Sequence, residues 1–343
     1  MRFGLFGSAQ AKRGGPDTDS GQGFRDYVEY AVEGEALGYR SIFVVEHHFT
    51  GFGQISASLS LLTWVAARTT TLRVGTAVMV LPWHNPVLLA EQTAALDLLS
   101  EGRLDFGIGK GYRWNEFASF RIPPAEADER FEESLALILR SWTSEERFDH
   151  RGKYWQFDNI VVEPPTKQKP HPPIWMGAGS PASIAKVAER GFNVMFDQYA
   201  PTEVIGERLR IFREACEAAG RRFDPMDVAV SRGVYVAKDV ADKARALEER
   251  TTARARMNAL AAAPGEINTS SLMAYADRKD ASDESALYGS PDEIAEKLQR
   301  LRDLGVEHVL FNCPGGSRDT LRRFASEIMP AFAADSPRMR AAE

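Results

Sequence analysis

Ser41-Ile42-Phe43-Val44-Val45-Glu46-His47-His48-Phe49-Thr50 runs from four consecutive apolar residues directly into an acid and two imidazoles. Ile42 to Val45 predict a strand buried on both faces, the pattern of a parallel sheet covered by helices. Ionisable groups at the carboxyl end of such a strand occupy the place where α/β folds put their chemistry.

Reading outward, the preceding residues supply a short apolar strand over 3–6 and a polar, glycine-rich loop over 7–23. Tyr27, Ala31, Ala36 and Leu37 then recur at helical spacing, and Gly38 is a natural helix stop. Strand, helix and strand in this order imply parallel pairing. The alternation continues with a helix over 55–68, a strand over 72–81, a helix over 87–99 and a strand over 103–108. The next helix, over 126–142, places Phe131, Leu135, Ile138 and Leu139 on one face.

The pattern breaks over 148–173, where aromatic and proline-rich sequence predicts a hairpin-like excursion followed by an extended linker. It then resumes with strands over 174–177, 192–196, 227–237 and 309–312, and helices over 181–190, 202–219 and 240–260. Ser290-Pro291-Asp292-Glu293 opens one more helix with a hydroxyl cap, a proline and first-turn acids, and Gly305 ends it. Small, poorly periodic residues over 261–287 read as an insertion or mobile lid. Eight strand-helix units predict a single (β/α)8 TIM barrel with insertions over residues 1–343, since closure leaves no edge strand. A doubly wound open sheet is the rival, but Gly4, Gly7, Gly14 and Gly15 do not form its GxGxxG turn.

Composition narrows the function. A formal charge of -6, with 44% apolar and 26% charged residues, suits a globular chain and argues against a nucleic-acid surface. Cys216 and Cys313 lie far apart without metal-ligand spacing, which fits a reducing compartment. No apolar run approaches the ~20 residues of a membrane span and no signal peptide is evident, so a cytoplasmic location is expected.

In a barrel the strand tips share one face. They include Glu46 to His48, Gly107-Ile108-Gly109-Lys110-Gly111-Tyr112 and Gly177-Ala178-Gly179-Ser180-Pro181-Ala182-Ser183. The second combines glycines with a cation. The third joins a strand to a helix amino terminus through glycines and hydroxyls, where free N–H groups and a partial positive charge suit an anion. Two such tips point to a phosphorylated ligand. Neighbouring histidines on extended chain point in opposite directions, and His84, His150, His171 and His308 show no matching spacing, so no metal is expected. A structural histidine capped by a carbonyl beside an exposed one is the plainer reading of His47 and His48. Neither paired carboxylates for glycoside chemistry nor a GxSxG elbow is present.

Taken together, Glu46-His47-His48-Phe49-Thr50, Leu72-Arg73-Val74-Gly75-Thr76-Ala77, Glu101-Gly102-Arg103-Leu104-Asp105-Phe106-Gly107-Ile108-Gly109, Pro172-Pro173-Ile174-Trp175-Met176-Gly177 and Ile328-Met329-Pro330 resemble bacterial luciferase and the luciferase-like flavin monooxygenases. The resemblance follows family order across nearly the whole chain. It implies a barrel that binds FMN at the carboxyl ends of its strands, with His47 assisting catalysis beside the flavin. It also implies that the Ala77–Val78 peptide is a strained step against the isoalloxazine ring, that Lys110 stands for a phosphate-binding arginine, and that Gly179, Ser180 and Ser183 form the phosphate loop. Lysine keeps the charge but loses the bidentate fork. Gly109 replaces the reactive cysteine of luciferase, so light emission from an aldehyde is not implied.

The function so implied is an FMN-dependent monooxygenase. Reduced FMN from a separate flavin reductase reacts with O2 to a peroxyflavin that oxygenates a small organic substrate, and His47 acts as general acid or base. The alternatives are a deazaflavin-dependent dehydrogenase on the same scaffold and a non-catalytic flavin-binding subunit. Trp83, Trp114, Phe117, Phe120, Tyr199 and the 261–287 segment are candidates to line or cover an apolar substrate cavity. The resemblance further implies a homodimer through the helices over 55–68 and 87–99, whose small residues Ala57, Ala66, Ala67, Ala90, Ala94 and Ala95 permit close approach.

Overall fold

The run that opens with Ser41 forms strand β2 (Ser41–Val44), with Ile42, Phe43 and Val44 fully buried. It lies between β1 (Arg2–Gly7), which sets Leu5 opposite Ile42, and β3 (Arg73–Thr76), which sets Val74 opposite the same residue. A computed structural model describes residues 1–263, 265–266, 270–271, 274–275, 283–313 and 316–333. The further strands are β4 (Met79–Val80), β5 (Leu104–Gly109), β6 (Phe148–Arg151), β7 (Gln156–Ile160), β8 (Ile174–Gly177), β9 (Asn193–Phe196), β10 (Val228–Val236), β11 (Leu287–Gly289) and β12 (His308–Asn312).

Eight of these, β1, β2, β3, β5, β8, β9, β10 and β12, pair in parallel in chain order, and β12 returns to β1. The expected eight-stranded barrel is therefore closed. Its intervening helices are α1 (Gln22–Ala36), α2 (Ser58–Arg68), α3 (Pro86–Leu99), α4 (Trp114–Phe120), α5 (Ala127–Thr143), α6 (Pro181–Glu189), α7 (Thr202–Ala218), α8 (Val240–Asn258), α9 (Pro291–Asp303) and α10 (Arg318–Arg323).

The apolar content divides as the two sides of a barrel wall require. Inside, Phe43, Trp175, Met195, Ala229 and Leu310 project from five strands and pack with Phe6, Ala77 and Val78. Phe43 meets Trp175 edge-on at 5.6 Å. Outside, strand residues such as Leu5, Ile42, Val74 and Phe106 pack against the helices in one large cluster. Each fully buried Leu, Ile or Phe contributes about 1.5–3 kcal/mol. Gly75 makes room for the interior layer, because a Cβ there would fall 2.5 Å from the Phe43 ring.

Helix starts follow their local chemistry. Asn85 accepts the N–H groups of Val87 and Leu88 ahead of Pro86, and Ser290 with Glu293 makes the reciprocal cap of α9. Beyond the barrel, β6 and β7 pair antiparallel within the aromatic stretch before β8.

Three features depart from the sequence reading. The strand expected over 72–81 is two pieces, β3 and β4, separated by a cis peptide between Ala77 and Val78. There the Ala77 N–H still bonds to Val44 O, whereas the Val80 N–H is taken by the Glu46 carboxylate. Helix α4 was not foreseen, and neither was β11, which pairs with the carboxyl half of β10. The lid expected over 261–287 lies in part outside the described residues.

Candidate active site

Glu46, just past the end of β2, is almost wholly buried and links three segments. Its Oε1 lies 2.8 Å from His48 Nε2 and 2.7 Å from His84 Nε2, and its Oε2 accepts the Val80 N–H at 2.8 Å. Burial works to raise this carboxyl, but the hydrogen bonds from His48, His84 and Val80 outweigh it and hold the group below its ordinary value. The anion thus fixes the β4 tip, and with it the step after Ala77–Val78, against the end of β2.

His47 is held differently. Its Nδ1 lies 3.1 Å from Glu116 Oε1, and the same oxygen accepts the His48 backbone N–H at 2.9 Å. Glu116 sits in the first turn of α4 and is 2% exposed, so this helix, absent from the sequence reading, supplies the partner of the histidine. Burial lowers the His47 pKa; Glu116 opposes that shift and the Arg113 charge adds to it, leaving the ring below its ordinary value. A neutral imidazole whose Nδ1–H is donated to a carboxylate keeps its lone pair on Nε2 and can take up a proton there.

An aromatic wall stands beside this pair. Trp83 stacks on Phe120 at 5.3 Å and meets Phe117 edge-on at 4.6 Å, while Phe120 contacts His48 and Phe49, each at 4.9 Å. Trp83, Phe117 and Phe120 are therefore brought together with the histidine motif. Trp114 and Tyr199 are not part of this cluster. Trp114 is 40% exposed and lines a cavity of about 460 Å³ with Asn115, Asn258 and Leu260, at the side of the barrel mouth.

Next to the end of β2, Ala77 and Val78 border the interior cluster. Gly109 at the end of β5 faces them so closely that a Cβ would lie 2.6 Å from Val78 Cγ2. The glycine is thus required by this chain's own packing. In the loop before α6, expected to bind phosphate, Ser180 and Ser183 form a capping box: Ser180 Oγ accepts the Ser183 N–H, and Ser183 Oγ accepts the Ser180 N–H. Pro181 has no N–H, so Ala182 carries a first-turn donor without an intrahelical acceptor. A Cβ on Gly179 would lie 2.8 Å from Ser271 O, which brings the segment after α8 onto the loop. Lys110 is elsewhere: its side chain is 57% exposed and its ammonium donates to Asp128 Oδ1 at 2.7 Å.

The sequence model of the luciferase-like monooxygenase family matches residues 1–308. The chain belongs to that family. Among individual relatives of this luciferase-like protein, the oxygenase component of flavin-dependent trigonelline monooxygenase from Acinetobacter baylyi is 26% identical, covering 97% of this chain and 96% of the relative. The F420-dependent glucose-6-phosphate dehydrogenase of Amycolatopsis mediterranei is 28% identical over 91% of this chain and 96% of its own. Of solved structures, the monooxygenase RslO1 from Streptomyces bottropensis superposes with a TM-score of 0.79 at 28% identity, covering 97% and 100% of the two chains. The luciferase-like chain is thus an oxidoreductase.

Sequence reasoning missed two groups in this luciferase-like site. One is Glu116; the spacing of Trp114, Phe117 and Phe120 at intervals of three was the available signal for α4. The other is a set of arginines around the barrel mouth. Arg208 pairs with Asp197 at 2.6 Å, and the buried Arg232 donates to the carbonyls of Asp197, Ser231 and Ala200. Burial pulls Arg232 down to about 10, although the Asp197 charge works against that shift. Among the described residues no group of three or more His, Cys, Asp or Glu is arranged to hold a metal ion. No helix among them is long and apolar enough to cross a membrane.

Proposed function

We propose that the protein is the oxygenase component of a two-component FMN-dependent monooxygenase. It receives reduced FMN from a separate reductase and converts a small organic substrate and O2 to oxygenated product and water. Reduced FMN supplies the two electrons and the reaction with O2. The observation that carries the reading is the His47–Glu116 pair, 3.1 Å apart at the tip of β2, with burial shifting the ring toward its neutral form.

The donor set suits FMN. Phe6, Ala77 and Val78 offer an apolar border for a planar ring, and Gly179, Ser180 and Ser183 at the start of α6 offer small residues, hydroxyls and a positive helix end for its phosphate. Lys110 serves the same phosphate on exchanging Asp128 for it. The aromatic wall of Trp83, Phe117 and Phe120 excludes water beside His47. His47 takes or returns one proton at Nε2, and Glu116 keeps its tautomer and orientation. Oxygen uptake by the protein with chemically reduced FMN, measured across a substrate panel, tests the reading: coupled uptake and product formation are expected, and their absence with every substrate overturns it.

A deazaflavin-dependent dehydrogenase is the second reading, favoured by relatives such as that of Amycolatopsis mediterranei. It requires tight deazaflavin binding and no oxygen consumption. We also propose a homodimer in the cytoplasm. Of the small residues on these helices Ala66, Ala90 and Ala94 are buried within the chain, whereas Ala57 and Ala67 are exposed and Ala95 is half-buried; the surface offered to a partner by α2 and α3 also carries Trp64, Leu88 and Leu99, at 42%, 55% and 68% exposure.

A further inference from the structure

We propose that Arg250 and Arg254, with Arg113 on the histidine side of the same mouth, bind an anionic group of the organic substrate, so that the protein acts on small organic acids bearing a carboxylate or phosphate. The word substrate here rests on the monooxygenase reading; the anion site itself stands on its own geometry.

Helix α8 is the starting point. Over its 19 residues only Ala246 and Arg254 are buried, so a cation occupies one of two positions that face inward. Arg250 lies one turn earlier on the same face, with its Cζ 5.3 Å from the Tyr199 ring and 5.7 Å from the Tyr288 ring. Both guanidiniums act electrostatically on the Tyr199 phenol, just past the end of β9. The helix therefore presents two arginines to the barrel mouth.

Among the described residues neither has a counterion. Arg254 Nη1 and Arg250 Nε are buried without a hydrogen-bond partner, and among the described residues Arg250 makes a long 3.5 Å contact from Nη2 to Gln198 O. The nearby acid, Asp197, is occupied by Arg208 and by the N–H groups of Tyr199 and Ala200. Glu284, whose charge reaches Arg232, is exposed. No carboxylate oxygen among the described residues bonds to Arg250 or Arg254.

Arg113 repeats the pattern. It is 4% exposed, with Nε and Nη1 both buried and unpartnered. The next residue ties it to the same end of the fold, because the Trp114 N–H bonds to Ala261 O just beyond α8. Its charge is felt by His47. The three cations thus connect the histidine side of the mouth with Tyr199 on the other.

A guanidinium cannot escape burial by losing its proton, and an unpaired buried charge is destabilising. Such groups beside the barrel mouth are explained by a ligand that brings the missing negative charge. Planar two-oxygen anions match the guanidinium fork, and the bond is strengthened where water is excluded. The flavin phosphate is accounted for separately at α6, at the tip of β8. The charge left to satisfy belongs to the substrate.

The test uses the full chain without flavin and with FMN. Benzoate, inorganic phosphate and the neutral analogue benzamide are titrated, with the melting temperature and calorimetric affinity as readouts. Benzoate or phosphate is expected to bind and raise the melting temperature, and benzamide is not. Arg254→Met and Arg250→Met are expected to weaken anion binding about tenfold or more, the loss of one charge-assisted contact. Both keep the aliphatic stem and remove an unpaired charge, so they are expected to fold; Arg254→Lys, which keeps charge without the fork, should fall between. Arg256→Met, an exposed change on the same helix, should bind anions as the unaltered protein does. Anion binding unchanged in both Met variants overturns the proposal, as does no anion binding by the unaltered protein. A parallel loss of FMN affinity also overturns it, since the cluster would then hold the flavin phosphate. Anion binding that persists in a protein unable to bind FMN supports the anion site and removes only the flavin reading.

Discussion

Glu116 Oε1 sits 3.1 Å from His47 Nδ1 and 2.9 Å from the His48 backbone nitrogen, so one oxygen from α4 holds both the ring and the backbone of the histidine motif. The bond reaches across 69 residues of sequence. It defines which nitrogen of His47 is left to exchange a proton.

Loss of that exchange is expected to be severe. His47→Ala should keep FMN binding and lower turnover by about 10²–10⁴-fold, the usual contribution of a positioned acid or base. Flavin titration and steady-state oxygen uptake measure the two separately; undiminished turnover would remove His47 from the chemistry.

The pH profile carries the sign of each neighbour. Glu116 raises the His47 pKa and Arg113 lowers it. If activity requires the neutral ring, Glu116→Gln should move the acidic limb of kcat/KM to lower pH and Arg113→Gln should move it to higher pH. Shifts in the same direction in both variants would contradict this arrangement.

Stability has its own pH signature at His308, buried at the start of β12 beside Ser41 and Trp175. Burial depresses its pKa from 6.5 to about 4, with the Arg2 charge adding to the effect. Between these values the unfolded chain binds a proton that the folded chain does not. Stability should therefore fall as pH drops through this window, by about 3 kcal/mol in all from this group. Denaturant melts of His308→Gln should show a flatter dependence over the same range.

Gly109 and Val78 should behave as a coupled pair. Gly109→Ala puts a Cβ 2.6 Å from Val78 Cγ2 and is expected to cost about 1–3 kcal/mol and to weaken FMN binding. The double variant Gly109→Ala with Val78→Ala should recover much of the stability, measured as a thermodynamic cycle. No recovery would mean that the clash is relieved by other movements.

The exposed apolar residues of α2 and α3 make the dimer testable. Trp64→Asp and Leu88→Asp should convert the protein to a monomer by light scattering without unfolding the barrel. A monomer before any substitution removes the claim.

The barrel was legible in the sequence because each strand carries its own signal. A run such as Ile42 to Val45 must be buried on both faces wherever it folds, and helices capped by Asn85, Ser180 or Ser290 begin where a local hydroxyl or amide meets free N–H groups. The alternation of these elements leaves little choice of topology, and the common face of the strand tips follows from parallel pairing. The interruption at Ala77–Val78 was less visible, since the 72–81 run is continuous in hydropathy.

What the residues surrounding those tips do was decided by the tertiary structure. Lys110 has the composition of a phosphate ligand, yet in the free chain it reaches outward to Asp128. Arg254 reads as one more charge on a polar helix, yet it is buried, with Nη1 lacking a hydrogen-bond partner. Glu116 is indistinguishable in sequence from a surface acid until α4 folds over the end of β2. Periodicity reports which face of an element is apolar; the partner of a buried charge depends on how the loops close over the barrel, and that is a property of the whole chain.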